Sequence, residues 1–171
     1  MRNPYLFLLL IHLLCMPGIT AEAQAKKAKQ AASAANDETV IKNIIEKETK
    51  AFFEIDQKDW ASYWAQVPYA FWSFADTTDV NSFSGWNEIS KGFDNYFKTS
   101  KPSSAKINRN WRHIQINGTM AYIRFTQMVD DGNNMRPAQE EVRVMEKING
   151  EWKIVCVAVI AIQKDDNVPV R

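Results

Sequence analysis

Two arginines near the end of the chain, Arg124 and Arg143, are the side chains best suited to chemistry. A guanidinium presents a planar fork that matches a carboxylate and stays protonated at working pH. Together they read as an anion clamp. The competing reading is structural: Arg143 paired with Glu141 or Glu140, and Arg124 stacked on Trp111 as a cation–π contact. Glu141 between the arginines would neutralise the site or leave one positive charge for a ligand. His113 is the one histidine outside the N-terminal leader, and imidazole titrates nearest neutrality. With no Asp or nucleophile beside it, a strand histidine donating to Tyr122 or to backbone is favoured over general acid–base work. Asp76, Asp79 and Asp94 fall in a loop or on a helix. The sequence carries no Cys/His cluster, phosphate-binding loop or nucleophile elbow, so no metal, cofactor or catalytic set is expected.

Two successive β-hairpins across 107–162 must position these residues. Asn117-Gly118 and Asn149-Gly150 are two-residue turn signals, because Asn and Gly supply the positive φ that type I′ turns require. Such turns set register. Across the first, Ile116 pairs with Thr119, Ile114 with Ala121, His113 with Tyr122 and Trp111 with Arg124. Across the second, Val144 pairs with Val155, Val142 with Val157, Arg143 with Cys156, Glu141 with Ala158 and Met145 with Ile154. One mixed face then gathers Trp111, His113, Tyr122, Arg124, Glu141, Arg143 and Cys156 as a polar pocket floor. The other gathers Ile114, Ile116, Val142, Val144, Val155, Val157 and Val159. Left bare, that aliphatic face would exceed the patch monomers usually expose, so a homodimer or larger homo-oligomer is expected.

Upstream, Val40, Ile41, Ile44, Ile45, Glu48, Phe52 and Ile55 recur at helical spacing, with Asp37 or Thr39 as cap. A second helix is expected over 59–66 with Asp59 as N-cap, ended by Pro68. An aromatic strand follows over 69–74, a polar loop over 76–84, a third helix over 88–97 and a surface connection over 98–106. About half of the large aromatic set serves the core. Tyr63, Trp72, Trp86 and Tyr96 are the pocket candidates, since they sit on or near the elements that roof the sheet.

The chain of 171 residues suffices for one domain with a proper core, and its net charge of +1 gives no global case for nucleic acid or an acidic membrane. Arg2, the apolar run 5–16 and Pro17-Gly18 read as a secretory leader spanning 1–23. Cleavage is expected after Ala23, with Ala23-Gln24-Ala25 as the second choice. The run is short for a transmembrane helix, and Leu13-Leu14 before Cys15 does not fit a lipoprotein signal. An exported protein, periplasmic or secreted and free of the membrane, is expected. Residues 24–37 read as a flexible segment, 38–163 as the domain and 164–171 as a tail. Cys156, left single by cleavage, reads as a small buried hydrophobe.

Three helices followed by a long curved antiparallel sheet resemble the nuclear transport factor 2-like superfamily, also called SnoaL-like or cystatin-like in fold. The resemblance implies an α+β cone with the helices packed on the sheet. Within it, Ala121-Tyr122-Ile123-Arg124-Phe125-Thr126-Gln127, Glu140-Glu141-Val142-Arg143-Val144 and Asn149-Gly150-Glu151-Trp152 are similar to stretches of the association domain of calcium/calmodulin-dependent protein kinase II. That resemblance implies that Arg124 and Arg143 reach into a deep pocket able to hold a small carboxylate. Val155-Cys156-Val157-Ala158-Val159 departs from the family's strand, which carries two His and an Arg. The expected function is a pocket for a small anionic or aromatic molecule, lined by Arg124, Arg143, Tyr122, His113, Glu141, Trp111 and the four roof aromatics. The alternative is a SnoaL-like isomerase, dehydratase or cyclase using His113 or Glu141 as base; a third reading is a structural oligomerisation domain.

Overall fold

The computed structural model describes residues 21–130 and 138–161; the leader through residue 20 and the tail from 164 lie outside them. The order is α1 (Ala21–Phe53), α2 (Gln57–Ser62), β1 (Phe71–Ala75), β2 (Val80–Ser84), α3 (Trp86–Thr99), β3 (Lys106–Asn117), β4 (Met120–Asp130), β5 (Gln139–Ile148) and β6 (Glu151–Ala161). The chain divides into two units, 1–35 and 36–171. In the first, the described residues belong to α1. The second holds the sheet and the core.

Six strands order as β2-β1-β6-β5-β4-β3. All neighbours are antiparallel except β1 and β6, which run parallel. The core lies between one sheet face and the helices, around Ile41, Ile45, Trp60, Ile89, Ile123, Phe125 and Ile154. α1 buries the stripe that its spacing announces, Ile41, Ile45 and Glu48 included. It ends in a six-to-one turn, Asp56 N–H donating to the Ala51 carbonyl at 3.0 Å, with Ile55 at a φ of 62°. The N-cap of α2 is Asp56, not Asp59: its carboxylate accepts the Asp59 N–H at 2.9 Å. The segment expected as a loop before α3 contains β2, because Asn81, Ser82 and Ser84 sit on a solvated edge where a strand needs no apolar alternation. α3 starts at Gly85, whose φ of 84° suits glycine and where a Cβ would lie 3.1 Å from the Pro68 carbonyl.

Two bulges correct the expected register. The first hairpin turns on Gly118-Thr119, one residue later than the turn signal, so Ile116 pairs with Ala121 and Ile114 with Ile123. A bulge between Trp111 and His113 then sets Trp111 opposite Phe125 and His113 opposite Arg124. The second hairpin does turn on Asn149-Gly150, both at positive φ, and Met145 pairs with Ile154. Beyond that a bulge between Val144 and Met145 slips the partner strand by one, placing Val144 opposite Cys156 and Arg143 opposite Val157. An odd slip exchanges faces. Val157 and Val159 therefore part from Val142 and Val144 and pack into the core, where Ile114 and Ile116 join them, whereas Val142, Val144 and Cys156 lie on the open face.

Candidate functional site

The helix-side sheet face carries a buried ionic network at its centre. Arg143 on β5 is 4% exposed, Glu141 2% and Glu48 of α1 5%. Buried ions persist only when paired and hydrogen-bonded. Arg143 Nη1 donates to Glu48 Oε2 at 2.7 Å, its Nε donates to Glu141 Oε2 at 3.0 Å, and its Nη2 lies 2.9 Å from the same oxygen. Glu48 Oε1 accepts the indole N–H groups of Trp60 at 2.9 Å and Trp64 at 3.4 Å. Gln127 Nε2 donates to Glu141 Oε1. Gln127 Oε1 in turn accepts from Arg109 Nη2 at 2.8 Å, which also donates to Thr49 Oγ1 at 3.1 Å. This chain of partners fixes which way the Gln127 amide points.

Burial alone would lower the pKa of Arg143, but the charges and hydrogen bonds of Glu48 and Glu141 outweigh it and raise it. Arg109 goes the other way. Burial and the nearby Arg143 charge hold it down to about 10, against the weaker pull of Glu141, Glu48 and Glu46. Its guanidinium lies 4.6 Å from the Phe125 ring centre and 5.4 Å from that of Trp111.

Beside this network lies a cavity of about 160 Å³. Its polar lining is Glu48, Thr49, Gln127, Gln139, Glu141 and Arg143; its walls include Phe52, Trp60, Trp64, Trp72, Phe74, Phe93, Val157 and Val159. Trp72 meets Phe93 edge-on with ring centres 4.9 Å apart. Among the described residues no group of three or more His, Cys, Asp or Glu is arranged to hold a metal ion, and no helix is long and apolar enough to cross a membrane.

The structure separates the expected site residues. Arg143, Glu141 and Trp72 line the cavity. Arg124 does not join them, because Ile123, not Arg124, is the cross-strand partner of Arg143. Neighbouring strand residues face opposite ways, so Arg124 lies on the open face, bound to Glu140 at 2.5 Å. Arg124 and Arg143 therefore form no clamp. The stack of Arg124 on Trp111 also fails, since that indole carries Arg109 on the helix side. Tyr122 and His113 share the open face, ring centres 6.2 Å apart. Tyr63 donates to Asp59, Trp86 stacks on Trp60 and Trp64, and Tyr96 stacks on Phe52; none of the three lines the cavity.

Arg109, Gln127, Thr49 and Glu48 were missed as site residues. Glu48 had a signal, a carboxylate in the middle of an apolar helix stripe. Gln127 closes the seven-residue motif shared with the association domain. Arg109 and Thr49 had none.

The chain belongs to the calcium/calmodulin-dependent protein kinase II association domain family, whose pattern matches residues 37–160. Solved structures share its fold at low identity. A protein of unknown function with a cystatin-like fold from Nostoc punctiforme aligns with a TM-score of 0.60 at 16% identity, covering 76% of this chain and 94% of the other. A nuclear transport factor 2-like protein from Novosphingobium aromaticivorans reaches 0.62 at 11%, covering 85% and 92%. A candidate dehydratase of that family from Streptomyces avermitilis reaches 0.58 at 13%, covering 76% and 99%. No curated protein matches the chain in sequence.

Proposed function

We propose that this domain is a non-catalytic binding module whose cavity holds one small ring-bearing molecule, with a hydroxyl or amine donor turned toward Glu141. The observation that carries this reading is a cavity of about 160 Å³ with aromatic walls and a polar floor. An apolar cavity of about 150 Å³ accepts a benzene-sized guest, so a single ring fits. An ionised carboxylate has about four acceptor positions. Glu141 Oε1 accepts from Gln127, while Oε2 accepts from Arg143 Nε and lies 2.9 Å from its Nη2, so Oε1 keeps room for a ligand donor. An anion is less favoured in this cavity, because all three nitrogens of Arg143 are committed to Glu48 and Glu141. The isomerase or dehydratase reading retains only Glu141 as base, since His113 lies on the opposite face. A base already holding two hydrogen bonds and an ion pair is poorly placed to take a proton, which favours binding over turnover.

The test is a thermal-shift series of phenol, aniline, benzene and benzoate on the full chain and on Val157→Leu, which fills the cavity from its wall. A ligand at a hundred times its Kd stabilises by about 2.7 kcal/mol. Phenol or aniline should shift the wild type and not Val157→Leu. Equal phenol and aniline shifts in both proteins would refute the cavity as the site.

Self-association is part of the proposal, through the open sheet face. Phe71, Met120, Tyr122, Met128 and Ile160 are each at least 36% exposed, beside half-buried Val142 and Val144. Such a patch favours burial against a second copy. Export through the N-terminal leader completes it, supported by the apolar run before Pro17-Gly18. Recovery of the protein uncleaved in the cytoplasm would count against that element.

A further inference from the structure

Arg109 differs from Arg143 in one respect that matters for ligands. Among the described residues, Arg143 donates from Nε and Nη1 to carboxylates, and its Nη2 lies 2.9 Å from one. Arg109 donates only from Nη2, and only to the neutral acceptors Gln127 and Thr49. Its Nε is the one buried side-chain nitrogen or oxygen left without a partner, and no carboxylate lies within salt-bridge distance among the described residues. A half-buried cation set against the rings of Phe125 and Trp111, with spare donors and no ion-paired carboxylate among the described residues, is incompletely compensated.

This side chain also lines an open groove of about 580 Å³ beside β3, separate from the aromatic cavity. On the helix side of β3, Trp111 and Ile107 give the groove an apolar wall, and Glu46 of α1 stands in the same lining. Lys106, Met128 and Asp130 line it from the open face. A dianion such as phosphate meets Glu46 as a like charge. A single carboxylate paired with the guanidinium, its apolar body on the Ile107 and Trp111 wall, sets one charge against one cation.

We propose that the groove beside β3 is a second ligand site, in which the Arg109 guanidinium takes a small organic monocarboxylate. The site does not depend on the aromatic cavity being occupied. Arg109 also reaches Glu141 through Gln127, so occupancy of the groove bears on the cavity floor.

The probe is benzoate, titrated calorimetrically into the full chain, with inorganic phosphate as competitor. Saturable binding is expected, weakened at least about tenfold by Arg109→Lys, which loses the fork while keeping the charge. Glu46→Gln, a change on an exposed side chain of the lining, should tighten it by removing the carboxylate beside the anion. The cavity-filling Val157→Leu should leave benzoate affinity within about twofold of wild type. No binding, wild-type affinity in Arg109→Lys, weaker binding in Glu46→Gln, or loss in Val157→Leu would overturn the proposal. Displacement by equimolar phosphate would overturn the monocarboxylate assignment. Because the cavity reading rests on phenol and aniline, either site can fail while the other stands.

Discussion

Arg143 of β5 and Glu48 of α1 stand 95 residues apart in sequence and 2.7 Å apart in the fold, both almost wholly buried. This pair ties the long helix to the middle of the sheet. It is one arm of a fork whose other arm is Glu141. Removing the cation would strand two buried carboxylates. Arg143→Met should therefore cost about 3–5 kcal/mol, and Glu48→Leu a similar amount. Urea melts of the two singles and the double would show the double costing well under their sum. Strict additivity would mean that the two do not interact.

Asp37 gives the fold an acid-sensitive clasp. Hydrogen bonds from Lys147 at 2.7 Å and Trp152 at 2.9 Å hold its carboxyl below the ordinary 3.8, with burial opposing. A depressed carboxyl stabilises the fold fully above its unfolded value and loses that contribution as pH falls through the folded one. Asp37→Asn should lower stability at pH 7 and flatten the loss below about pH 4. Parallel stability–pH curves for the two proteins would contradict this.

Gly92 on α3 leaves room for the Phe83 ring. A Cβ there would lie 2.4 Å from the ring tip, and that ring is already stacked on Trp72. Gly92→Ala gains about 1 kcal/mol in helix propensity but forces Phe83 aside. A net loss of about 1–2 kcal/mol is expected. Adding Phe83→Leu should make the alanine neutral or favourable, as read by thermal melts.

Cys156 should be a slow thiol. Burial pushes its pKa above the ordinary 9.0, with the Arg143 charge pulling weakly the other way. Reaction with an aromatic disulfide at pH 8 should be at least about tenfold slower in the native protein than in denaturant. The unfolded thiol ionises first, so stability should fall slightly as pH rises past 9.0. Equal native and denatured rates would place the sulfur in open solvent.

Much of this fold was legible, and the reasons are local. Asn149-Gly150 makes the turn its residue types demand, and the apolar stripe of α1 faces the core. The bulges were not legible. The residues between Trp111 and His113, and the step at Val155, look like ordinary alternating strand, yet each slip reverses every side chain beyond it. The first slip turned Trp111 to the helix side and left His113 beside Arg124 on the open face, which the pairing of Ile123 with Arg143 keeps out of the site; the second buried Val157 and Val159. Arg143 and Glu141 kept their place because they sit two apart on one strand, where no slip can part them. β2 escaped notice because its polar residues carry no periodic signal, and its strand character comes from pairing with β1.

The parallel contact between β1 and β6 has a kinetic consequence. β3 to β6 are joined by hairpin turns or short connections and bring near neighbours together, whereas β1 must find β6 across the whole of α3 and both hairpins. Loop-closure entropy makes such a contact late. The first two strands, with Trp72 and Phe74, should dock onto a preassembled four-stranded ribbon, and in native-state hydrogen exchange they should be the first strands to open. One wall of the aromatic cavity would then be the last part of the molecule to form and the first to breathe.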